Sequence, residues 1–310
     1  MRLSLLMIMA ELHVEQVVNI SLHKGSIYSL ARTQEEGCFL SAGSEGIVVK
    51  CNIDEPDQAV VIAKVEGQIF SMLLLESKNH LIIGTMSGAV HIVDLNERKE
   101  IHSIIHHKQS IFDIKLYHEK IFIASKDGTL SILSTQDYSN ESIVSISDMS
   151  LRMVDFHPYN NEAAIACSDN NCYILDLGNL KISHILKGPE NSAFSVCYSP
   201  DGKKLFVGSR DARLYIYDLE SMMIHKTVAA HLYTINQIIF ISENRFFCTA
   251  SRDKTIRIWD YESFELLKSL ERIKDNGHRN SVNRLLWMPE QKVLISAGDD
   301  RNMLIWKIVS

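Results

Sequence analysis

One shape of eleven or twelve residues recurs seven times along the chain. Its clearest copy is TASRDKTIRIWD at 249–260: an apolar run, a polar turn, then an alternating segment ending in Trp-Asp. The same shape appears at 41–52, 83–94, 123–134, 166–176, 207–218 and 296–307. With the Trp position as marker, the copies fall at Cys51, Val93, Leu133, Leu175, Tyr217, Trp259 and Trp306. Successive markers are 42, 40, 42, 42, 42 and 47 residues apart. A regular period of 40–45 residues means that one supersecondary unit is repeated, and each unit must bury its apolar faces against its neighbours.

Each unit reads as four short strands. In the sixth they are TINQIIF, RFFCTAS, KTIRIWD and FELLKSL, rich in β-branched and aromatic residues and separated by polar turns such as Ser-Glu-Asn at 242–244. No segment holds a 3.6-residue apolar period, so little helix is expected. The long last gap reflects an insertion at 271–276. Four strands in about 42 residues is the pattern of a β-propeller blade.

Composition narrows the class further. Of 310 residues, 46% are hydrophobic and 23% charged, with 14 Gly and 5 Pro, which excludes disordered and collagen-like chains. No apolar run is long enough for a membrane-spanning helix. A net charge of -6 speaks against general nucleic-acid binding, which needs a dominant basic face. The opening MRLSLLMIMA has some signal-peptide character, but its apolar part is short and no cleavage site follows, so residues 1–11 read better as a lead-in. Six scattered cysteines in strand-like runs suit reduced core thiols in the cytoplasm; a Cys167–Cys172 disulfide is the alternative.

The units resemble WD40 repeats, and the chain resembles a seven-bladed WD40 β-propeller over nearly its whole length, a single all-β domain. The family's Gly-His dipeptide is present at Gly277-His278, and becomes Ala230-His231 in the sixth unit and Leu22-His23 in the first. From each of these histidines to its marker is 28 residues. The middle units depart from this pattern, with Val65, Ser147 and Pro189 at the His position. Blades then begin near residues 23, 65, 107, 147, 189, 231 and 278. The resemblance implies structural hydrogen-bonded tetrads of His231, Thr249, Asp253 and Trp259, and of His278, Ser296, Asp300 and Trp306. The first unit keeps His23, Ser41 and Glu45 but has Cys51 for Trp. A hydrolase triad is the rival reading of Ser-His-Asp, and the repeat context argues against it. Only three strands are legible in the last unit, so residues 14–22 are expected to supply its outer strand and close the ring.

No phosphate-binding, zinc-protease or dinucleotide motif is present, and no cofactor is expected. His102, His106 and His107 invite a metal reading. On a strand, however, His102 and His106 lie about 13 Å apart and adjacent histidines face opposite ways, so a solvated outer strand is preferred. The sequons at Asn19 and Asn140 read as chance matches within strands.

In WD40 propellers, partner contacts concentrate on the top face. Five residues after each His position stand Tyr28, Phe70, Phe112, Arg152, Phe194, Asn236 and Asn283. Before each turn acid stand Ser44, Met86, Lys126, Asp169, Arg210, Arg252 and Asp299. The first set holds four aromatics and an Arg, which either pack between blades or are exposed as a binding patch. With Lys126, Arg210 and Arg252 it forms the expected partner site, suited to a peptide or protein partner carrying acidic or phosphorylated residues. The expected protein is thus a cytoplasmic, monomeric, non-catalytic interaction scaffold. The alternatives are a propeller enzyme with an axial-channel site and an RNA-associated subunit.

Overall fold

A computed structural model describes residues 12–241 and 245–309. The 1–11 lead-in and the turn at 242–244 lie outside the described residues. The rest forms seven four-stranded antiparallel sheets, and the chain is an all-β, seven-bladed propeller. Six sheets are built from four consecutive strands; blade one, for example, comprises Ile27–Arg32, Cys38–Gly43, Ile47–Asn52 and Val60–Lys64.

Blade seven differs. Its three inner strands, Val282–Met288, Val293–Gly298 and Met303–Val309, are completed by His13–Ile20 from the other end of the chain. The register runs from His13 opposite Val309 to Ile20 opposite Met303. This joins the two ends of the ring through backbone hydrogen bonds and leaves only outer edges open.

The apolar pattern fixes how blades stack. The second strand of each blade has neighbours on both faces, so Cys38–Gly43, Phe246–Ser251 and Val293–Gly298 are buried throughout. Outer strands such as Lys181–Lys187 are almost wholly exposed. The core therefore lies between blades: Phe206 and Ile216 of blade five pack with Ile238, Phe247 and Trp259 of blade six. Among the described residues, helix is confined to a 3₁₀ turn at Pro56–Gln58 and one turn at Arg272–Asp275, the latter inside the 271–276 insertion.

Two of the implied networks are closed. In blade six, Trp259 Nε1–H donates to Thr249 Oγ1 (2.9 Å), the Thr249 hydroxyl meets His231 Nε2 (2.7 Å), and His231 Nδ1 meets Asp253 (2.8 Å). In blade seven, Trp306, Ser296, His278 and Asp300 repeat this at 2.9, 2.8 and 3.0 Å. The pattern assigns the proton to Nδ1 of each histidine. Thr249 and Ser296 are fully buried, so no substrate reaches either hydroxyl. Blade one keeps His23 between Ser41 (2.9 Å) and Glu45 (3.0 Å), with no indole donor.

The middle blades solve the same problem differently. His107 is buried, not a solvated outer-strand residue: it meets Asp127 (3.1 Å) and Ser131 (2.5 Å), and so is the structural histidine of blade three. Its hydroxyl comes from the third strand, because the second-strand site holds Ile123. In blades four and five a third-strand tyrosine replaces the histidine. Tyr173 donates to Asp169 (2.6 Å) and Tyr215 donates to Asp211 (2.9 Å). Asp169 is thus the turn acid of blade four, and the residue before it is Ser168, not Asp169 itself. Its six-residue distance to the Leu175 marker, as from Asp253 to Trp259, carried this register in the sequence.

All six cysteines are free thiols, and five of them, including Cys167 and Cys172, are buried. Burial pushes the Cys51 and Cys167 thiols up to about 11.

Candidate functional site

Every innermost strand carries a register break at the same point. Ile27 pairs with Gly43 and Ser29 with Ala42, so Tyr28 has no partner. The same break isolates Phe70, Phe112, Arg152, Phe194, Asn236 and Asn283. A β-bulge leaves its extra residue outside the ladder and re-aims the side chain. Seven such bulges in a ring direct seven side chains to one mouth of the axial channel. That mouth is the top face.

These residues neither pack between blades nor stand fully exposed. All seven are half-buried, and the five in blades one to five rest on one another. Tyr28 and Phe70 have ring centroids 5.0 Å apart, and Phe70 and Phe112 5.7 Å. The Arg152 guanidinium carbon is 4.5 Å from the Phe112 ring centre and 4.8 Å from that of Phe194. Such cation–π contacts favour the charged form and hold it in place. Arg152 Nε also donates to Ser168 Oγ (2.7 Å).

The remaining two blades are amide-locked. Asn236 Nδ2 donates to the Val282 carbonyl (2.8 Å), and Asn283 Nδ2 donates to the Ile27 carbonyl (3.0 Å) and to Asp299 (2.8 Å). The mouth is therefore asymmetric, with an aromatic and cationic arc over blades one to five and a hydrogen-bonded arc over six and seven. It surrounds a cavity of about 250 Å³, whose lining adds Met153, Ser281 and Arg284 to the seven. Lys126, Arg210 and Arg252 stand exposed in the turns outside it and do not line the cavity.

Below the mouth lies a group that the reading of the sequence passed over. Asp113, Lys115, Asp155 and Arg284 all sit on innermost strands. Charged residues in otherwise apolar strands were the available signal. Asp113 accepts the Val154 N–H (3.0 Å) and Asp155 the Tyr198 N–H (2.7 Å). Ser29 likewise accepts the Met72 N–H, and Gln237 that of Leu285. Each bond runs from one innermost strand to the next, satisfying backbone donors where the strands splay apart. Coulomb attraction to Asp113 raises the Lys115 pKa, and burial raises that of Asp155.

A larger cleft, about 630 Å³, lies between blades one and two and is lined by Lys50, Val60, Glu76 and Arg98 among others. Several of its polar groups are engaged within the chain: Lys50 pairs with Glu35, and Gln34 donates to Glu76. The channel mouth is smaller, but it gathers four aromatic rings and the Arg152 guanidinium around one cavity.

Comparison with known families is consistent with this architecture. A WD domain, G-beta repeat model matches residues 265–307, and a NUP159/214 beta propeller model matches residues 117–249. No curated protein matches the chain. Among the described residues no helix is long and apolar enough to cross a membrane. Both matched segments fall on blades of a ring that has seven four-stranded sheets in all, and the chain is a seven-bladed β-propeller with one segment similar to a WD, G-beta repeat and another similar to the NUP159/214 propeller.

Proposed function

We propose that this propeller is a non-catalytic interaction platform whose top face binds an extended peptide segment of a protein partner. The observation that carries the reading is the bulge-aimed arc Tyr28–Phe70–Phe112–Arg152–Phe194 around one cavity. Aromatic rings and Arg dominate interface hot spots because they offer large contact area at small entropic cost. Lys126, Arg210 and Arg252 add positive charge beside it, on a chain of net charge -6, which favours an acidic or phosphorylated partner. The two channel carboxylates already accept backbone N–H groups, which weighs against an axial-channel enzyme. Six reduced thiols suit the cytoplasm, where the chain acts as a monomer until its partner docks. The test is capture of partners by wild type and Phe70→Ala, followed by calorimetry with the purified partner. Equal affinity of the two proteins would remove the top face from the reading.

A further inference from the structure

The cavity at the channel mouth holds two guanidiniums from opposite sides of the ring, Arg152 of blade four and Arg284 of blade seven. Arg284 Nη2 donates to the Phe112 carbonyl (3.3 Å), and Arg152 uses Nε on Ser168. Among the described residues the arginine–carboxylate ion pairs are Arg32–Glu290 and Arg213–Glu190, and neither cavity arginine joins one. Asp113 is the carboxylate whose field reaches Arg284, and it is occupied by the Val154 N–H. Burial disfavours the charge on both arginines, and Arg210 adds repulsion on Arg152. Half-buried positive charge with N–H donors not used within the chain is an arrangement that an anion completes.

We infer that this cavity is the seat of one carboxylate side chain, a glutamate or aspartate of the bound peptide, held between Arg152 and Arg284 with its stem against Phe112 and Phe194. The inference rests on the top-face reading and specifies its ligand. Two arguments select a carboxylate. The cavity, about 250 Å³, is below the range of roughly 300–1,000 Å³ typical of whole small-molecule ligands, so it suits a single side chain. Arg152, Arg284 and Lys115 against Asp113 and Asp155 leave one uncompensated positive charge, which a monoanion neutralises and a phosphate dianion overshoots.

Met153 lines the same cavity, so its labelled methyl group reports occupancy by NMR. The probes are butyrate, which mimics a glutamate side chain, its uncharged analogue butyramide, and inorganic phosphate. Butyrate is expected to shift the Met153 signal saturably, more weakly as salt rises, while butyramide and phosphate leave it in place. Arg152→Gln and Arg284→Gln should each weaken butyrate at least tenfold. If either variant fails to fold, the comparison of butyrate with butyramide on wild type still decides. Equal binding of butyramide, tighter binding of phosphate, or unchanged butyrate affinity in folded variants would overturn the carboxylate seat. If the seat fails while Phe70→Ala still abolishes partner binding, the platform reading stands without it; if butyrate binds as expected but Phe70→Ala leaves the partner's affinity unchanged, the seat stands and the peptide platform falls.

Discussion

Asn283 Nδ2 donates to the carbonyl of Ile27, 3.0 Å away and 256 positions earlier in the chain. This bond closes the ring at the channel, while the pairing of His13–Ile20 with Met303–Val309 closes it at the rim. The rim closure contributes a whole strand of hydrogen bonds and apolar contact, including Val14 and Ile20. Removing residues 1–22 is expected to lower the melting temperature sharply and cause aggregation, because Met303–Val309 then presents a bare edge. A melt and size-exclusion profile matching wild type would show that the rim strand is dispensable.

The closed network of blade seven should be stronger than the incomplete one of blade one. Asp300 and its histidine are shielded, the Asp300 side chain being 5% exposed, whereas Glu45 is 22% exposed. Asp300→Ala leaves a buried His278 donor unpaired, at a cost of about 1–3 kcal/mol. Glu45→Ala should cost less, since water reaches the site and Cys51 contributes no indole bond. Denaturant melts of both variants give the order directly.

Tyr173 and Tyr215 take over from histidine in blades four and five. Tyr173→Phe and Tyr215→Phe should each destabilise by about 1 kcal/mol, the net value of a hydrogen bond to a charged acceptor less what water recovers. A neutral result in denaturant unfolding would mean that the turn acids are held by backbone N–H groups alone.

Acid should weaken the fold in two stages. Burial lowers the pKa values of His23, His107 and His231 from 6.5, against the opposing effect of their carboxylate partners. The unfolded chain therefore binds more protons than the folded one as pH falls below about 6.5, and stability drops with it. Burial also opposes the charge on Asp253 and Asp300, but hydrogen bonds from His231, Thr255 and the Leu232 N–H, and from His278 and the Arg279 N–H, outweigh it and hold both below the ordinary carboxylate range. A second loss follows below about pH 4, where the unfolded carboxyls protonate first. Chemical denaturation at pH 7.5, 5.5 and 3.5 should show falling midpoints; a flat profile between the first two would contradict neutral buried histidines.

Phe112 contacts both Phe70 and Arg152 at the mouth. Phe112→Ala should weaken the partner by about 2 kcal/mol with little change in melting temperature, as expected of a half-buried hot spot. Calorimetry paired with a thermal melt separates the two effects. Loss of stability with intact binding would assign the ring to structure alone.

The sequence by itself determined the ring. A 42-residue period with four β-type runs per unit leaves each sheet two apolar faces to cover, and stacking seven units covers them. Legible too were the His231 and His278 networks, since residue type and a 28-residue spacing are local facts. The bulge residues could be named from their offset to histidine, but not aimed: the one-residue break in the ladder that turns Tyr28 or Arg152 toward the axis exists only in the pairing of strands. Tertiary structure alone decided that Tyr173 substitutes for a histidine, that His107 is buried, and that Arg152 and Arg284 share a cavity. Arg284 and Phe112 are 172 positions apart and meet only across a closed channel. A local periodic signal specifies which faces are apolar, whereas the environment of a charge depends on every blade that surrounds the axis.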